Sequence, residues 1–584
     1  MMDPEIMYID LEKGTHKIDR RGDLSSYLGG VALATELLKE NCLIEEDPLV
    51  NNQPVIFTKG PLNTIFPVVT KVCSMFTSPL TGELGESYGG MRLAMAMALA
   101  GLDGIVIKGR RGAPCILHID DKGVRFLDAK SLWGLDTDET TRLLHDQEGK
   151  RGLRSIMVIG DGGEKGVKFA NVTIDSYRHF GRLGLGCLLG SKNIKAIIVE
   201  GARGREVDNL KEYKRVYKEI AKRVIDTDVM EKYHGIGTSI NIKALNEMGG
   251  LPTFNFQKSQ FNRCSRITGE YFAKKHLIKK LACSGCPIGC IHIAIRRKKF
   301  GEPHEYHSTA VAYDHELIYS LGSMLGIARG EEVLELIEAV EKKGLDAITS
   351  GVLMAWITEA YQRGLLDAKM LLTTPAFGKK EGYLKIIENI VIQPNEFYKR
   401  AAEGTHSLTS HYGGQDYGMV LAKNEVAGYH TGYGNLLGQA VGARHSHLDN
   451  GGYSIDQEIN SLDSKEIVKK LIQEEIERNL LNSLVICLFA RKVYDFDTIK
   501  NALNSIGIKI SKEELHEIGL RTFLEKMILK ERMGFSYKDI TFPKRFFETE
   551  ALFKALDEEN AYEILNEYIE EIHRIKLSRI SPLD

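Results

Sequence analysis

The chain has 584 residues, and its 77 Lys+Arg nearly balance 79 Asp+Glu, for a formal charge of −2. With 43% hydrophobic and 27% charged residues it has the composition of a globular protein, long enough for about two to four domains,. This excludes low-complexity sequence and a strongly basic nucleic-acid binder, and no apolar run approaches the roughly 20 residues that span a bilayer.

The start carries Asp3 and Glu5 where a secretory signal carries Lys or Arg and then an apolar block, so a cytoplasmic protein is expected,. Residues 6–10 and 16–19, joined by a short polar turn, predict a hairpin,. Runs rich in Val and Ile at 54–57, 104–107, 116–119, 156–159 and 196–199 predict strands, and 91–100, apolar on nearly all sides, predicts a buried helix,. Glycines form two clusters, Gly82 to Gly90 and Gly181 to Gly190.

From residue 209 the pattern is helical, with amphipathic stretches at 213–224, 331–343, 352–363 and 464–479 and a charged helical tail from 512 to 578,. The expected fold class is α+β, an N-terminal strand-rich domain followed by two mainly α-helical domains, with divisions at 1–205, 206–412 and 413–584. No internal repeat is present.

Nine cysteines, an odd number in a long chain, argue against a disulfide framework,. Cys42, Cys73, Cys115, Cys187 and Cys264 are scattered and read as small buried side chains,. Cys283, Cys286 and Cys290 are not scattered. Their C-x2-C-x3-C spacing, with Ser284, Gly285, Pro287 and Gly289 between them, suits a tight loop holding three corners of one iron–sulfur cluster,. Cys487 is the best candidate for the fourth thiolate. The alternative is a zinc site completed by His292, but zinc sites usually pair two short Cys/His hairpins.

These motifs resemble the tungsten-containing aldehyde ferredoxin oxidoreductase family, over roughly residues 5 to 495. The resemblance rests on the three-cysteine loop with Cys487-Leu-Phe489, on Ser78 to Gly82 followed by Tyr88, Gly89 and Gly90, and on Arg178 to Gly186 running into Gly190. It implies a sheet base for a bis-pterin tungsten cofactor, with molybdenum as the alternative metal, and a [4Fe–4S] cluster held by Cys283, Cys286, Cys290 and Cys487. Gly89, Gly90, Arg178, His179, Gly181, Arg182 and Gly184 fall on the family's phosphate-side segments. Glycine admits backbone N–H groups to a phosphate, and Arg supplies a bidentate partner. In the family a Mg2+ ion bridges the pterin phosphates. Here the sequence departs, with Lys71 on the register of an Arg and Ser87 on that of an Asn.

The resemblance further puts Glu316 on the catalytic glutamate, Asp346 on a pterin-binding acid, and Asn482 where the partner motif has Asp. Glu341 stands where the first motif opens with Asp. The catalytic histidine falls on His445 by one register and His447 by the other, with His315 a weaker third. The implied reaction is oxidation of aldehydes to carboxylic acids, or the reverse. Glu316 would be the general base, the His a hydrogen-bond donor, and electrons would pass to ferredoxin or a polyferredoxin-like small subunit. No nucleic-acid partner is implied, and a homo- or hetero-oligomer is compatible. Two rivals use the same scaffold: a tungsten-dependent aromatic acyl-CoA reductase subunit, and a pterin-free iron–sulfur electron-transfer subunit. Lys275, Lys279, Lys280, Arg296, Arg297, Lys298 and Lys299 flank the cysteine loop and form a basic collar suited to an acidic partner,.

Overall fold

A computed structural model describes residues 3–147, 153–204, 206–228, 230–459 and 463–579. The alternating apolar runs of the first 200 residues build two six-stranded sheets. In the first, the order is Thr15–Arg20, Glu5–Asp10, Gly104–Lys108, Val55–Thr58, Val72–Thr77 and Leu84–Gly89. Only Glu5–Asp10 and Gly104–Lys108 run parallel within it. In the second, the order is Arg178–Phe180, Val172–Ile174, Leu153–Val158, Ile194–Gly201, Cys115–Asp120 and Gly123–Asp128. One core joins the sheets, and Phe57 of the first meets Phe180 of the second with ring centroids 5.4 Å apart.

The predicted hairpin pairs Ile6 with Asp19 and Ile9 with His16. The apolar segment near 91–100 forms the helix Leu93–Ala100, built of strong helix formers and stopped by Gly101 at φ 80°,. It fills the space between the sheets, which is why no side of it is polar. Five strands of these sheets escaped the sequence reading: Val72–Thr77, Leu84–Gly89, Gly123–Asp128, Val172–Ile174 and Arg178–Phe180. The first is buried on both faces, so its residues do not alternate in polarity,.

The remainder is mainly helical, as expected. Helix Leu210–Asp226 starts where the Asn209 side chain accepts from the Glu212 N–H,. Lys512–Arg532 starts with a capping box of Ser511 and Glu514 and packs on Ser464–Ser483,. The expected 352–363 helix runs from Ala347 to Gln362, with Asp346 at its N-cap, and is buried along nearly its whole length. It lies tight against the helix His315–Leu321 at Gly351, where a Cβ would fall 2.2 Å from the Ser320 carbonyl oxygen. The charged tail is not one helix but two long ones, Lys512–Arg532 and Glu558–Arg579, with short turns between.

Two antiparallel sheets interrupt the helical part: a three-stranded one of Leu277–Leu281, Ile291–Gly301 and Glu305–Tyr313, and a two-stranded one of Val420–Leu421 and Asn424–Glu425. Leu281 pairs with Ile291, so the cysteine loop is the connection of a hairpin. Among the described residues no helix is long and apolar enough to cross a membrane.

Candidate active site

The sheets, the hairpin loop and the helical layers border one cavity that remains open to solvent. Lys71, Ser87, Arg178, His179, Gly181, Arg182, Asp346, Asn482 and Glu316 line it, and so do all four cysteines, Cys283, Cys286, Cys290 and Cys487. These residues come from segments hundreds of positions apart in the chain.

The cysteine loop is pinned by backbone bonds. Gly285, at φ 80°, offers its carbonyl to Val68 N–H at 3.2 Å, and Val68 in turn accepts from Cys487 N–H at 3.1 Å. Ser284 N–H reaches the Met91 carbonyl at 2.9 Å. Val485, just before Cys487, takes a left-handed φ of 52°, a strain of about 1–3 kcal/mol for a β-branched residue,. Its carbonyl accepts from Lys71 N–H at 3.3 Å, which helps hold the strained turn. Cys283 Sγ accepts from Met91 N–H at 3.2 Å, and Cys290 Sγ faces Arg178 Nη2 at 3.9 Å.

Burial, then the neighbouring thiols, push Cys286 up to about 12. Cys487 is also raised, first by burial. Burial opposes the charge on Lys71, but the sulfurs of Cys487 and Cys283 outweigh it and its pKa is raised. Arg178 behaves likewise through Cys290 and Asp314. Thiols held this way release their protons when metal binds. Among the described residues no group of three His, Cys, Asp or Glu side chains is arranged to hold a single metal ion. His292 instead bonds the His234 carbonyl at 3.1 Å.

Glu316 sits in the first turn of the helix His315–Leu321, capped by Asp314, which accepts from Leu317 N–H at 3.2 Å. One carboxyl oxygen of Glu316 accepts from Gly428 N–H at 3.2 Å. The other lies 3.3 Å from His447 Nε2, close but not aligned as a hydrogen bond. Burial pushes Glu316 up to about 8, although 19% of its side chain remains accessible, toward the cavity. Burial, then Arg182, hold His447 well below the usual imidazole range. Near neutral pH the pair is therefore a carboxylic acid beside a neutral imidazole. Tyr429 packs on His447, ring centroids 5.0 Å apart.

His445 is placed elsewhere, with Nε2 2.6 Å from Lys530 Nζ and 3.5 Å from Glu83. The chain turns at φ 53° there, which sends the two histidines to different surroundings. His315 bonds the Gly428 carbonyl at 3.2 Å and is buried.

Arg182 is clamped by Asp346 at 3.1 Å, by Asn424 at 2.8 Å and by the Glu425 carbonyl at 2.7 Å. Its Nη1 has no partner. Asp346 already accepts from Arg182, Ile348 N–H and Thr349, and lines the cavity with its remaining capacity. His179 lies 3.4 Å from Glu341. Unpartnered buried atoms on cavity-lining residues include Arg182 Nη1, Asn171 Oδ1 and one oxygen of Glu316. Buried polar atoms are rarely left bare, so this set fits a polar ligand. Gly90 makes room at the rim: a Cβ would stand 2.8 Å from Cys283 Sγ and 3.2 Å from Lys71 Nζ. Gly89 and Gly184 serve packing, against Ile174 in one case and the Lys168 carbonyl in the other.

Tyr88, Arg444, Asn424 and Asn171 also line the cavity and were not foreseen. Tyr88 lay inside a quoted motif. Arg444 directly precedes His445, and its guanidinium sits 5.0 Å from the Tyr88 ring centroid. Asn171 and Asn424 carried no local signal.

A sheet base roofed by helices, with four thiols and the buried carboxyl of Glu316 on one cavity, fits the class of oxidoreductases. The family model described as "Aldehyde ferredoxin oxidoreductase, N-terminal domain" matches residues 6–201, and "Aldehyde ferredoxin oxidoreductase, domains 2 & 3" matches 215–575. The chain belongs to the aldehyde ferredoxin oxidoreductase family. It is 30% identical over 564 residues to the tungsten-containing aldehyde ferredoxin oxidoreductase of Thermococcus kodakarensis, covering 92% of this chain and 90% of that protein. The namesake of Pyrococcus furiosus is 29% identical, with the same coverage. The aliphatic sulfonate oxidoreductase WOR-like subunit of Pyrococcus furiosus is 28% identical, over 90% of this chain and 86% of that one. In fold, the chain matches the active site complex BamBC of benzoyl coenzyme A reductase in complex with 1,5-dienoyl-CoA, with a TM-score of 0.83. Identity there is 19%, covering 98% of this chain and 95% of that chain.

Proposed function

We propose that this oxidoreductase interconverts aldehydes and carboxylic acids with a tungsten-bis-pterin group and passes the electrons through a [4Fe–4S] cluster to ferredoxin or a partner iron–sulfur subunit. The observation that carries the reading is the meeting of four thiols and Glu316 on one cavity, with His447 Nε2 3.3 Å from the Glu316 carboxyl. Cys283, Cys286, Cys290 and Cys487 would hold the cluster. Arg182, His179, Gly181, Asp346 and Asn482 would hold the pterins, with Lys71 and Ser87 on the phosphate side, where Mg2+ would be a further ion. The division into domains 1–205, 206–412 and 413–584 suits this assembly.

When bound, the metallopterin supplies the two-electron chemistry. The chain's own residues orient the substrate and move protons. His447, a neutral imidazole, donates a hydrogen bond to the substrate carbonyl oxygen. Glu316, in its ionised form, takes the proton of the attacking water, and Gly428 N–H orients its carboxylate,.

Purified protein should contain tungsten and about four irons per chain, and should reduce a viologen dye with an aldehyde. Iron without tungsten would favour the pterin-free carrier instead. Turnover of an aromatic acyl-CoA in place of aldehydes would favour the reductase, whose scaffold this chain resembles in fold.

A further inference from the structure

Lys530 stands in the last turn of the helix Lys512–Arg532 and is wholly buried. A lysine is almost never buried that deeply without partners. Its Nζ lies 4.0 Å from the Phe535 ring centroid, donates to the Gly442 carbonyl at 3.2 Å and stands 2.6 Å from His445 Nε2. Glu83 supplies counter-charge 3.9 Å away and is shared with Lys423, which reaches its other oxygen at 3.2 Å.

The two acceptors of Lys530 belong to one turn. The Gly442 carbonyl also accepts from His445 N–H at 3.1 Å. His445 Nδ1 faces the Ala440 carbonyl at 2.9 Å, so that nitrogen carries the ring proton and Nε2 is left as an acceptor for the ammonium,. Lys530 therefore grips the turn twice, by its backbone at Gly442 and by its ring at His445.

The turn needs such a grip. His445 sits at φ 53°, in the left-handed region, and a residue held there persists only where its surroundings over-determine it,. Asn424 holds the exit of the turn, donating to the carbonyls of Arg444 at 3.0 Å and His445 at 3.2 Å. The chain then runs through Ser446, the N-cap of the helix His447–Asn450, straight into His447. His447 Nε2 ends 3.3 Å from the Glu316 carboxyl. Every link from Lys530 to that ring is thus a direct contact or one step along the backbone.

We propose that Lys530 is a positioning residue: by holding Gly442 and His445 in the left-handed turn, it aims His447 at Glu316. The proposal rests on the reading of His447 as the hydrogen-bond donor to the substrate. It gives the helix Lys512–Arg532, in which the sequence shows no motif, a part in the reaction.

Lys530→Met, with tungsten and iron at wild-type content, tests this. It keeps the apolar stem and removes both contacts. Its kcat should fall about 10-fold at unchanged KM, since small misplacement of a reacting group is costly. In a His447→Gln background the same change should cost nothing further, because both act through one ring. His445→Asn is the milder variant. Asparagine tolerates the left-handed region, so the backbone of the turn is spared and only the ring contact goes. Its loss should be smaller, again in kcat and again absent beside His447→Gln, and it decides the matter if Lys530→Met does not fold. A loss that multiplies with that of His447→Gln would overturn the proposal. A second readout does not use turnover. In crystal structures of the variants, His447 should leave the Glu316 carboxyl while His430, which is bound to the Thr549 carbonyl, stays in place. An unmoved His447, or a His430 displaced as far, would also overturn it. If wild-type protein turns over no aldehyde, or His447→Gln costs nothing, the reading of His447 fails, and the crystallographic separation alone decides the positioning.

Discussion

The cysteine loop and Glu316, with His447 beside it, lie at the same cavity but are built in opposite ways. The loop is local. Three of its sulfurs lie within eight residues of one hairpin connection, and only Cys487 arrives from afar, held in place by Val68 and by the strained turn at Val485. The pair is assembled wholly by packing. Glu316 comes from a short helix wedged against Gly351, and His447 from a segment beyond Tyr429 that the sequence places far downstream. A local motif tolerates changes in the surrounding core, whereas a pair made by packing is sensitive to them. The two regions should therefore break differently.

The largest effect is expected at the thiols. Cys283→Ser or Cys487→Ser should abolish the brown cluster absorbance, while Cys115→Ala, in the second sheet, should leave it. An intact cluster spectrum in Cys487→Ser would remove that residue from the ligand set, and would show the loop to be more self-sufficient than proposed.

Next is Glu316→Gln, which should keep tungsten and lower aldehyde turnover about 100-fold or more, the scale of a placed acid–base group. The pH dependence follows from the raised pKa. Below about 8 the carboxyl is protonated and cannot act as base, so wild-type turnover should rise as pH climbs through that value. The Gln enzyme should lose that limb. The same shift bears on stability. Between the usual carboxyl range and about 8, the native state holds a proton that the unfolded chain has released, so stability declines as pH rises,. Glu316→Gln should flatten that decline, read as Tm against pH on metal-free protein. Equal slopes in both proteins would refute the buried-acid account.

His447→Gln should cost less than Glu316→Gln, because a hydrogen-bond donor is partly replaced by the amide. We expect about a 10-fold to 100-fold loss in kcat. A larger loss than at Glu316 would reverse the assigned roles.

The smallest effect concerns the outside of the loop. Arg296 is tied to Glu335 and Glu338, so the exposed members of the basic collar are Lys275, Lys279, Arg297, Lys298 and Lys299. Reversing charge at Arg297 and Lys298 should slow ferredoxin reduction at low salt and leave dye reduction unchanged. Added salt should shrink the difference, because screening shortens the reach of the patch. If both rates fall together, the collar supports the hairpin and the docking face lies elsewhere.

The sequence by itself determined what short spacing can encode. The C-x2-C-x3-C loop, the apolar strands of the first 200 residues, the all-apolar helix at 93–100 and the amphipathic helices are patterns of near neighbours, and covalent geometry carries them into the fold. It also ranked Glu316 through the residues around it. Tertiary structure alone decided which of His445 and His447 stands beside Glu316, since one left-handed turn separates residues that the sequence cannot distinguish. It likewise decided that Arg444, Asn424 and Asn171 share the cavity, and that Lys526 and Lys530, from an ordinary-looking helix near the end of the chain, reach Glu86 and His445. The physical reason is that burial and partner choice belong to packing between distant segments. The same Lys on a helix is a solvated charge or an internal acid depending only on what covers it.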